Sequence, residues 1–268
     1  MRLMVAEKEV EVKDPFLHFM DHSALKADAT EADAERYAQE VLDYDLRGTC
    51  FRPHHTEIAK QCFEGTKYRN SSVLVFPTVK CPTVDEMIKN RKEAYMADGS
   101  SLADARKGLI DQALKGGANE LDMIIDLKAA KDGNYATVRD DVQGAREYTA
   151  RSDITLKVIE CAPFFDNQQL VDITKAVLDG GADYVKTTTG FGSRAASLRD
   201  IHLFGMVLAQ EGLDDVGIKA AGGIKTVDQA RAAYGASQIF GTRPFIIGES
   251  SYDLKQNPLN SDNCGDSY

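Results

Sequence analysis

Three observations predict an α/β protein with a single-domain (β/α)8 fold, a TIM barrel. Short apolar or β-branched runs alternate with helical segments eight times between residues 16 and 240. Glycine-rich turns recur ahead of such runs, at Gly116-Gly117-Ala118 and Gly180-Gly181-Ala182. Two further runs carry a lysine and then break into glycine, Lys186-Thr187-Thr188-Thr189-Gly190-Phe191-Gly192 and Lys219-Ala220-Ala221-Gly222-Gly223-Ile224. Short buried strands separated by helices form right-handed βαβ units, and eight of them at this length close into a barrel.

The run at 16–21 is read as strand one. Thr30, followed by Glu31 and Asp33, caps a helix over 30–43: its hydroxyl accepts a free N–H of the first turn, and acids suit that end. Strand two covers 46–51 and ends at Pro53, which has no N–H for a ladder; 54–62 is a short helix. Strand three covers 72–77. The stretch 84–116 is long for one helix and contains Asp98-Gly99-Ser100, so it divides in two, with a capped restart at Ser101. Strand four covers 120–125, a helix 135–150, strand five 154–160, and another helix 168–178. Strand six carries Lys186 and is followed by a helix over 197–211. Strand seven carries Lys219, Thr226 caps a helix that runs to Tyr234, and 238–240 is strand eight. The barrel domain is expected to span 1–248, and 249–268 is a polar tail expected to be mobile.

A formal net charge of −10 over 268 residues argues against nucleic acid or an acidic membrane as partner, so an anionic ligand needs local binding groups. The chain has no apolar span of about 18 residues and no signal-peptide pattern, which makes a cytoplasmic location the expectation. Cys50, Cys62, Cys81, Cys161 and Cys264 are odd in number with no close pair, as reduced thiols are. The histidines form no zinc signature, and no metal or cofactor is expected.

In such a barrel the site lies at the carboxyl ends of the strands. Asp122, Lys157, Lys186 and Lys219 are the charged residues that four of the strands place there. A strand lysine is most often a snorkelling side chain in an ion pair, and Lys157 reads that way, paired with Asp122 or Asp183. Lys186 and Lys219 read differently, since both run into glycine-rich turns on neighbouring strands. An amine is a nucleophile only when neutral, and desolvation beside a second cation favours loss of its proton. The neutral amine attacks a carbonyl, forms a Schiff base and acts as an electron sink for making or breaking a carbon–carbon bond. Asp122 moves protons through water in those steps. Gly190, Gly222 and Gly223 allow backbone N–H groups to approach an anion closely, or are plain strand-to-helix turns. Residues 190–195 also spell G-x-G-x-x-A, a dinucleotide pattern, with Glu211 about twenty residues on. That pattern belongs after a first strand, and a lysine ahead of its first glycine has no role in it.

The two lysine motifs resemble those of the 2-deoxyribose-5-phosphate aldolase family. The likeness extends in order through Met20-Asp21-His22-Ser23-Ala24-Leu25, Glu120-Leu121-Asp122-Met123 and Leu156-Lys157-Val158-Ile159. The resemblance implies a class I aldolase, an aldehyde-lyase of deoxyribonucleotide and carbohydrate breakdown. It reversibly cleaves 2-deoxy-D-ribose 5-phosphate to D-glyceraldehyde 3-phosphate and acetaldehyde. It further implies that Lys186 forms the Schiff base, Lys219 perturbs its pKa and Asp122 transfers protons. Asp21, Cys50 and Lys157 fall on family positions near the pocket, and Thr188, Gly190, Gly222 and Gly223 on its substrate-binding side. Some members carry a mobile tail whose final tyrosine assists proton transfer, which makes Tyr268 a candidate, or an idle terminus.

The chain also departs from the family pattern. After strand eight the family usually has Gly-x-Ser-Ser, whereas Gly241-Thr242-Arg243-Pro244 occupies that place here; Arg243 then substitutes as the phosphate ligand or marks a different acceptor. Strand five runs into Glu160-Cys161-Ala162-Pro163 in place of Ile-Glu-Thr, and 92–101 looks enlarged. Two alternatives therefore stand: a Schiff-base aldolase acting on another or an unphosphorylated hydroxy-aldehyde or keto acid, and a non-catalytic barrel that binds a sugar phosphate. The expected partners are a small sugar phosphate and an aldehyde, and a homodimer is the base-rate assembly.

Overall fold

The free N–H groups of a helix's first turn need acceptors, and side chains placed just ahead of the helices supply them. The computed structural model describes residues 15–149, 153–241 and 243–249. Its helices are α1 (Glu31–Tyr44), α2 (Thr56–Phe63), α3 (Val84–Tyr95), α4 (Leu102–Lys115), α5 (Leu127–Lys131), α6 (Tyr135–Thr149), α7 (Asn167–Asp179), α8 (Leu198–Gln210) and α9 (Val227–Ser237). Thr30, Ser101 and Thr226 cap α1, α4 and α9, as their sequence positions predict. At Thr30 and Thr226 the side chain three residues on bonds back to the cap, closing a capping box.

Between the helices run β1 (Met20–Ala24), β2 (Gly48–Phe51), β3 (Arg69–Leu74), β4 (Glu120–Ile124), β5 (Thr155–Ile159), β6 (Tyr184–Lys186), β7 (Gly217–Ala221) and β8 (Phe245–Glu249). All pair in parallel with their sequence neighbours, and β8 pairs with β1, closing the barrel. The register sets Asp122 opposite Lys157 and Lys186 opposite Lys219. Since side chains alternate across a strand, these four and Asp21 point inward. Leu121, Val158, Val185 and Ile218, between or beside them, join the apolar layer with helix residues such as Val142, Leu170 and Phe204. Branched apolar residues ordinarily fill such a barrel. Here Lys157 and Lys219 are among the largest fully buried side chains. Small residues make room around them: a Cβ on Gly248 would lie 3.1 Å from Lys219 Cε, and one on Gly217 would meet the Tyr184 ring.

Three strands differ from the sequence reading. Strand three, read over 72–77, is Arg69–Leu74, and Val75 follows it with φ 48°, outside the extended range. Residues Pro15–Phe19 form a short 3-10 helix, with Phe19 packed 5.5 Å from Tyr234 and 6.2 Å from Phe245, and β1 begins at Met20. The largest correction is strand eight. Residues 238–240 are not a strand: α9 continues to Ser237, Gln238 is its C-cap, and Ile239 is 59% exposed. The Gln238 side chain accepts from the Arg243 N–H at 2.9 Å and donates to the Arg243 carbonyl at 3.1 Å, folding a turn that delivers the chain to β8. An apolar dipeptide at the end of a helix imitated a short strand, and Pro244 masked the true one behind it. Helix α5 has no counterpart in the sequence reading. The divided stretch 84–116 and its restart are as read. The tail falls, from residue 250 onward, outside the described residues.

Candidate active site

The site is built on Asp122, which β4 projects into the barrel with no exposed surface. Its Oδ2 accepts from Lys186 Nζ at 2.5 Å and Lys219 Nζ at 2.8 Å, and its Oδ1 from Lys157 Nζ at 2.9 Å. Lys219 also reaches Asp21 Oδ2 at 2.6 Å. Lys157 lies 2.6 Å from Glu120 Oε2, 2.7 Å from Ser71 Oγ and 3.3 Å from Asp21 Oδ2. The Cys50 thiol stands 3.8 Å from Asp122 Oδ2. Asp183, the other partner considered for Lys157, pairs instead with Arg146 outside the barrel.

These contacts sort the three amines. Burial lowers the Lys157 pKa, but Asp122, Glu120 and Asp21 outweigh it and hold that amine well above the usual lysine range. Burial likewise acts on Lys219, and Asp122 and Asp21 again win, so it too is raised. For Lys186 burial prevails over Asp122, its one carboxylate contact, with help from the Lys219 cation, and its pKa is lowered. Burial pushes the Asp122 carboxyl up, yet Lys157, Lys186 and Lys219 together hold it well below the carboxylate range. The thiol of Cys50 is pushed up to about 11, by burial and then by Asp122, so it is neutral at pH 7.

Lys186 is also the member of this cluster that reaches the mouth. A pocket of about 400 Å³ at the carboxyl ends of the strands is lined by Lys186, Thr189, Gly190, Gly222, Gly223, Lys225 and Gly248, among others. Gly190, Gly222 and Gly223 have φ of 76°, 89° and 80°, the left-handed region that side chains avoid. A Cβ on Gly222 would also lie 2.8 Å from Thr188 Cγ2 and 3.0 Å from Gly190 Cα, so the two loops touch backbone to backbone. Thr187 fastens their roots, its Oγ1 donating to the Ala221 carbonyl and accepting from the Ala221 N–H, both at 3.0 Å. The loop after β3 closes one side: Cys81 N–H donates to the Phe191 carbonyl at 2.8 Å, and Lys80 Nζ to the Gly190 carbonyl.

The structure therefore brings together Lys186, Lys219, Asp122, Asp21, Cys50 and Lys157, the last five below the pocket rather than on its wall. Thr188 is buried behind the glycines, and Thr189 takes the wall position. Arg243 is a correction. It precedes β8, at the amino end of the barrel, 5% exposed, and donates to the Phe240 and Leu213 carbonyls at 3.4 and 3.5 Å. The strand shift explains the error, because the true β8 ends at Gly248-Glu249, and the sequence from Gly248 reads Gly-Glu-Ser-Ser, the Gly-x-Ser-Ser pattern itself. Ser250, Ser251 and Tyr268 lie outside the described residues. The G-x-G-x-x-A reading also fails, since α8 opens at Leu198, beyond the glycines. At the Glu160-Cys161 departure, Cys161 has φ 55° and turns the chain from β5 into a 3-10 helix at Ala162–Phe164.

Sequence reasoning missed Arg47, Glu120, Ser71, Lys80 and Lys225. Lys225, two residues past the glycine pair, was findable by position; the others needed the closed barrel. A wider groove of about 700 Å³ between α7, α8 and α9 is lined by Leu198, Met206 and Ile239 and lies away from the buried charges. Among the described residues no group of His, Cys, Asp or Glu is placed to hold a metal, and no helix is long and apolar enough to cross a membrane.

A closed parallel barrel in which one amine of a buried ion-pair cluster, Lys186, opens onto the pocket places this chain in the class of (β/α)8 proteins with a lysine-centred site. No family model matches it. It is 31% identical over 216 residues to the deoxyribose-phosphate aldolase of Thermococcus gammatolerans, covering 80% of this chain and 85% of that protein. It is 30% identical over 234 residues to that of Aciduliprofundum boonei, covering 87% and 95%. The solved deoxyribose-phosphate aldolase from Aeropyrum pernix superimposes with a TM-score of 0.69 at 25% identity, covering 88% of this chain and 87% of that one. The chain belongs to the deoxyribose-phosphate aldolase family, a family of aldehyde-lyases.

Proposed function

We propose that this protein reversibly cleaves 2-deoxy-D-ribose 5-phosphate to D-glyceraldehyde 3-phosphate and acetaldehyde through a Schiff base on Lys186. The observation that carries this is the coincidence of two properties in one residue: Lys186 lines the pocket and its proton is the one burial and Lys219 disfavour. The neutral amine adds to the C1 aldehyde, and loss of water gives an iminium. Deprotonation of the C3 hydroxyl then breaks the C2–C3 bond, the electron pair passing into the iminium to leave an enamine and free glyceraldehyde 3-phosphate. Protonation of C2 and hydrolysis release acetaldehyde and restore the amine. Asp122 and Lys219, 2.8 Å apart, supply an acceptor and a donor for the water-borne protons of these steps.

The phosphate is assigned to the backbone of Gly190, Gly222 and Gly223, with Lys225 as the neighbouring cation. Arg243 has no part in it, so the ground it offered for another acceptor is gone. Cyanoborohydride with acetaldehyde, followed by peptide mapping, is expected to place an ethyl group on Lys186, and Lys186→Ala to abolish turnover. Folded protein with an unmodified Lys186 would leave a sugar-phosphate-binding barrel as the better reading. We further assign the exposed apolar groove of Leu198 (51% exposed) and Ile239 (59%) to contact between copies of the chain; the Aeropyrum pernix relative is described as tetrameric.

A further inference from the structure

We propose that Arg47, at the floor of the barrel, is a positioning residue for the Lys186 chemistry: by holding Glu120 and Asp21 it leaves the three buried amines one carboxylate short. Arg47 Nη1 lies 2.6 Å from Asp21 Oδ1 and 2.8 Å from Glu120 Oε2, and Nη2 lies 2.5 Å from Glu120 Oε1. The fork is 17% exposed, whereas its partners are 0% and 1% exposed. The interior thus holds Lys157, Lys186, Lys219 and Arg47 against Asp21, Glu120 and Asp122. A guanidinium does not release its proton in the working pH range, so the surplus positive charge must leave from an amine. Contacts decide which one. Lys157 touches all three carboxylates, Lys219 touches two, and Lys186 touches Asp122 alone. Lys186 is the least held and the one that faces the pocket.

The other groups around Lys186 do not alter this balance. Burial pushes the Cys50 thiol to about 11 and the Cys161 thiol to about 12, so both stay neutral near pH 7. Burial also raises the Tyr184 hydroxyl, and Ser71 carries no charge. Arg69 approaches Glu120 at 3.9 Å, but it is 54% exposed and its charge is shared with water. Without Arg47 the amines and carboxylates would match in number, and each amine would keep its proton. Arg47 acts through Asp21 and Glu120 and lines none of the pocket.

The inference rests on Lys186 being the Schiff-base amine, and the test separates the two. The rate of cyanoborohydride trapping with acetaldehyde is followed against pH in wild type and in four variants. Arg47→Met is expected to move the midpoint of the rising limb up by about one pH unit, with roughly tenfold slower trapping below it. Arg47→Lys keeps the charge and stays near wild type. Glu120→Gln, which removes a negative charge instead, moves the midpoint down. The double variant Arg47→Met/Glu120→Gln restores the balance and returns the midpoint to near wild type. Glu120→Gln and the double variant carry the test should Arg47→Met alone not fold. Midpoints that stay together in the folded variants, or a double variant that tracks Arg47→Met, would overturn the inference. Absence of trapping in wild type would overturn the Lys186 reading instead.

Discussion

Asp122 receives three lysine amines, and no two of its donors are equivalent. Lys157 is locked by carboxylates on every side, Lys219 is shared between Asp21 and Asp122, and Lys186 has one anion and a pocket. The same physics acts on Glu160, outside the barrel. Its Oε2 accepts from Thr174 Oγ1 at 2.7 Å, its Oε1 has no partner, and burial raises its pKa well above the carboxylate range. A carboxyl that is neutral when folded and ionises near pH 4.3 when unfolded favours unfolding as pH rises above that value. Glu160→Gln is therefore expected to raise the melting temperature at pH 7 relative to wild type, by more than at pH 4. Equal shifts at both pH values, from thermal melts read by circular dichroism, would refute this. The residue types of the site were legible: a lysine running into glycines is hard to explain otherwise. The choice of Lys186 over Lys219 came from the family resemblance and not from the residue pattern, because the surroundings that set the two amines apart, Arg47 and Glu120 among them, meet only in the closed barrel.

Among the elements, the loops after β6 and β7 shape the mouth, and their contact depends on absent side chains. Gly222→Ala would place a methyl 2.8 Å from Thr188 Cγ2 at a φ of 89°, so the loop must move. We expect KM for the phosphorylated sugar to rise by about tenfold, while the rate of cyanoborohydride trapping with acetaldehyde, which has no phosphate, changes far less. Steady-state kinetics beside the trapping assay would show this; equal loss in both would mean that the glycine serves the fold alone. Caps were the most legible feature at this scale, since Thr30, Ser101 and Thr226 each act through a contact three residues away. Strand eight was the least legible. A five-residue strand behind a proline offers little periodicity, and a side-chain turn by Gln238 decides where it starts.

For the whole molecule, the exposed groove on α7, α8 and α9 and the chain's high negative charge pull in opposite directions, one toward association and the other toward separation. Light scattering is expected to find an oligomer, with Ile239→Lys reducing its mass while the trapping of Lys186 persists. A monomeric wild type, or a variant of unchanged mass, would remove that groove from the assembly.

The sequence by itself determined the alternation of strands and helices, and hence the barrel, because each pattern is written in residues close along the chain. It determined which residue types bring chemistry, since glycines and lysines in strands betray local requirements. Tertiary structure alone decided the rest. Closure brought Asp21, Arg47, Glu120, Asp122, Lys157, Lys186 and Lys219, drawn from five strands and the residue ahead of another, into one water-poor interior. It sent Arg243 to the opposite end. Charge balance is a property of that enclosed volume, and no stretch of chain contains it.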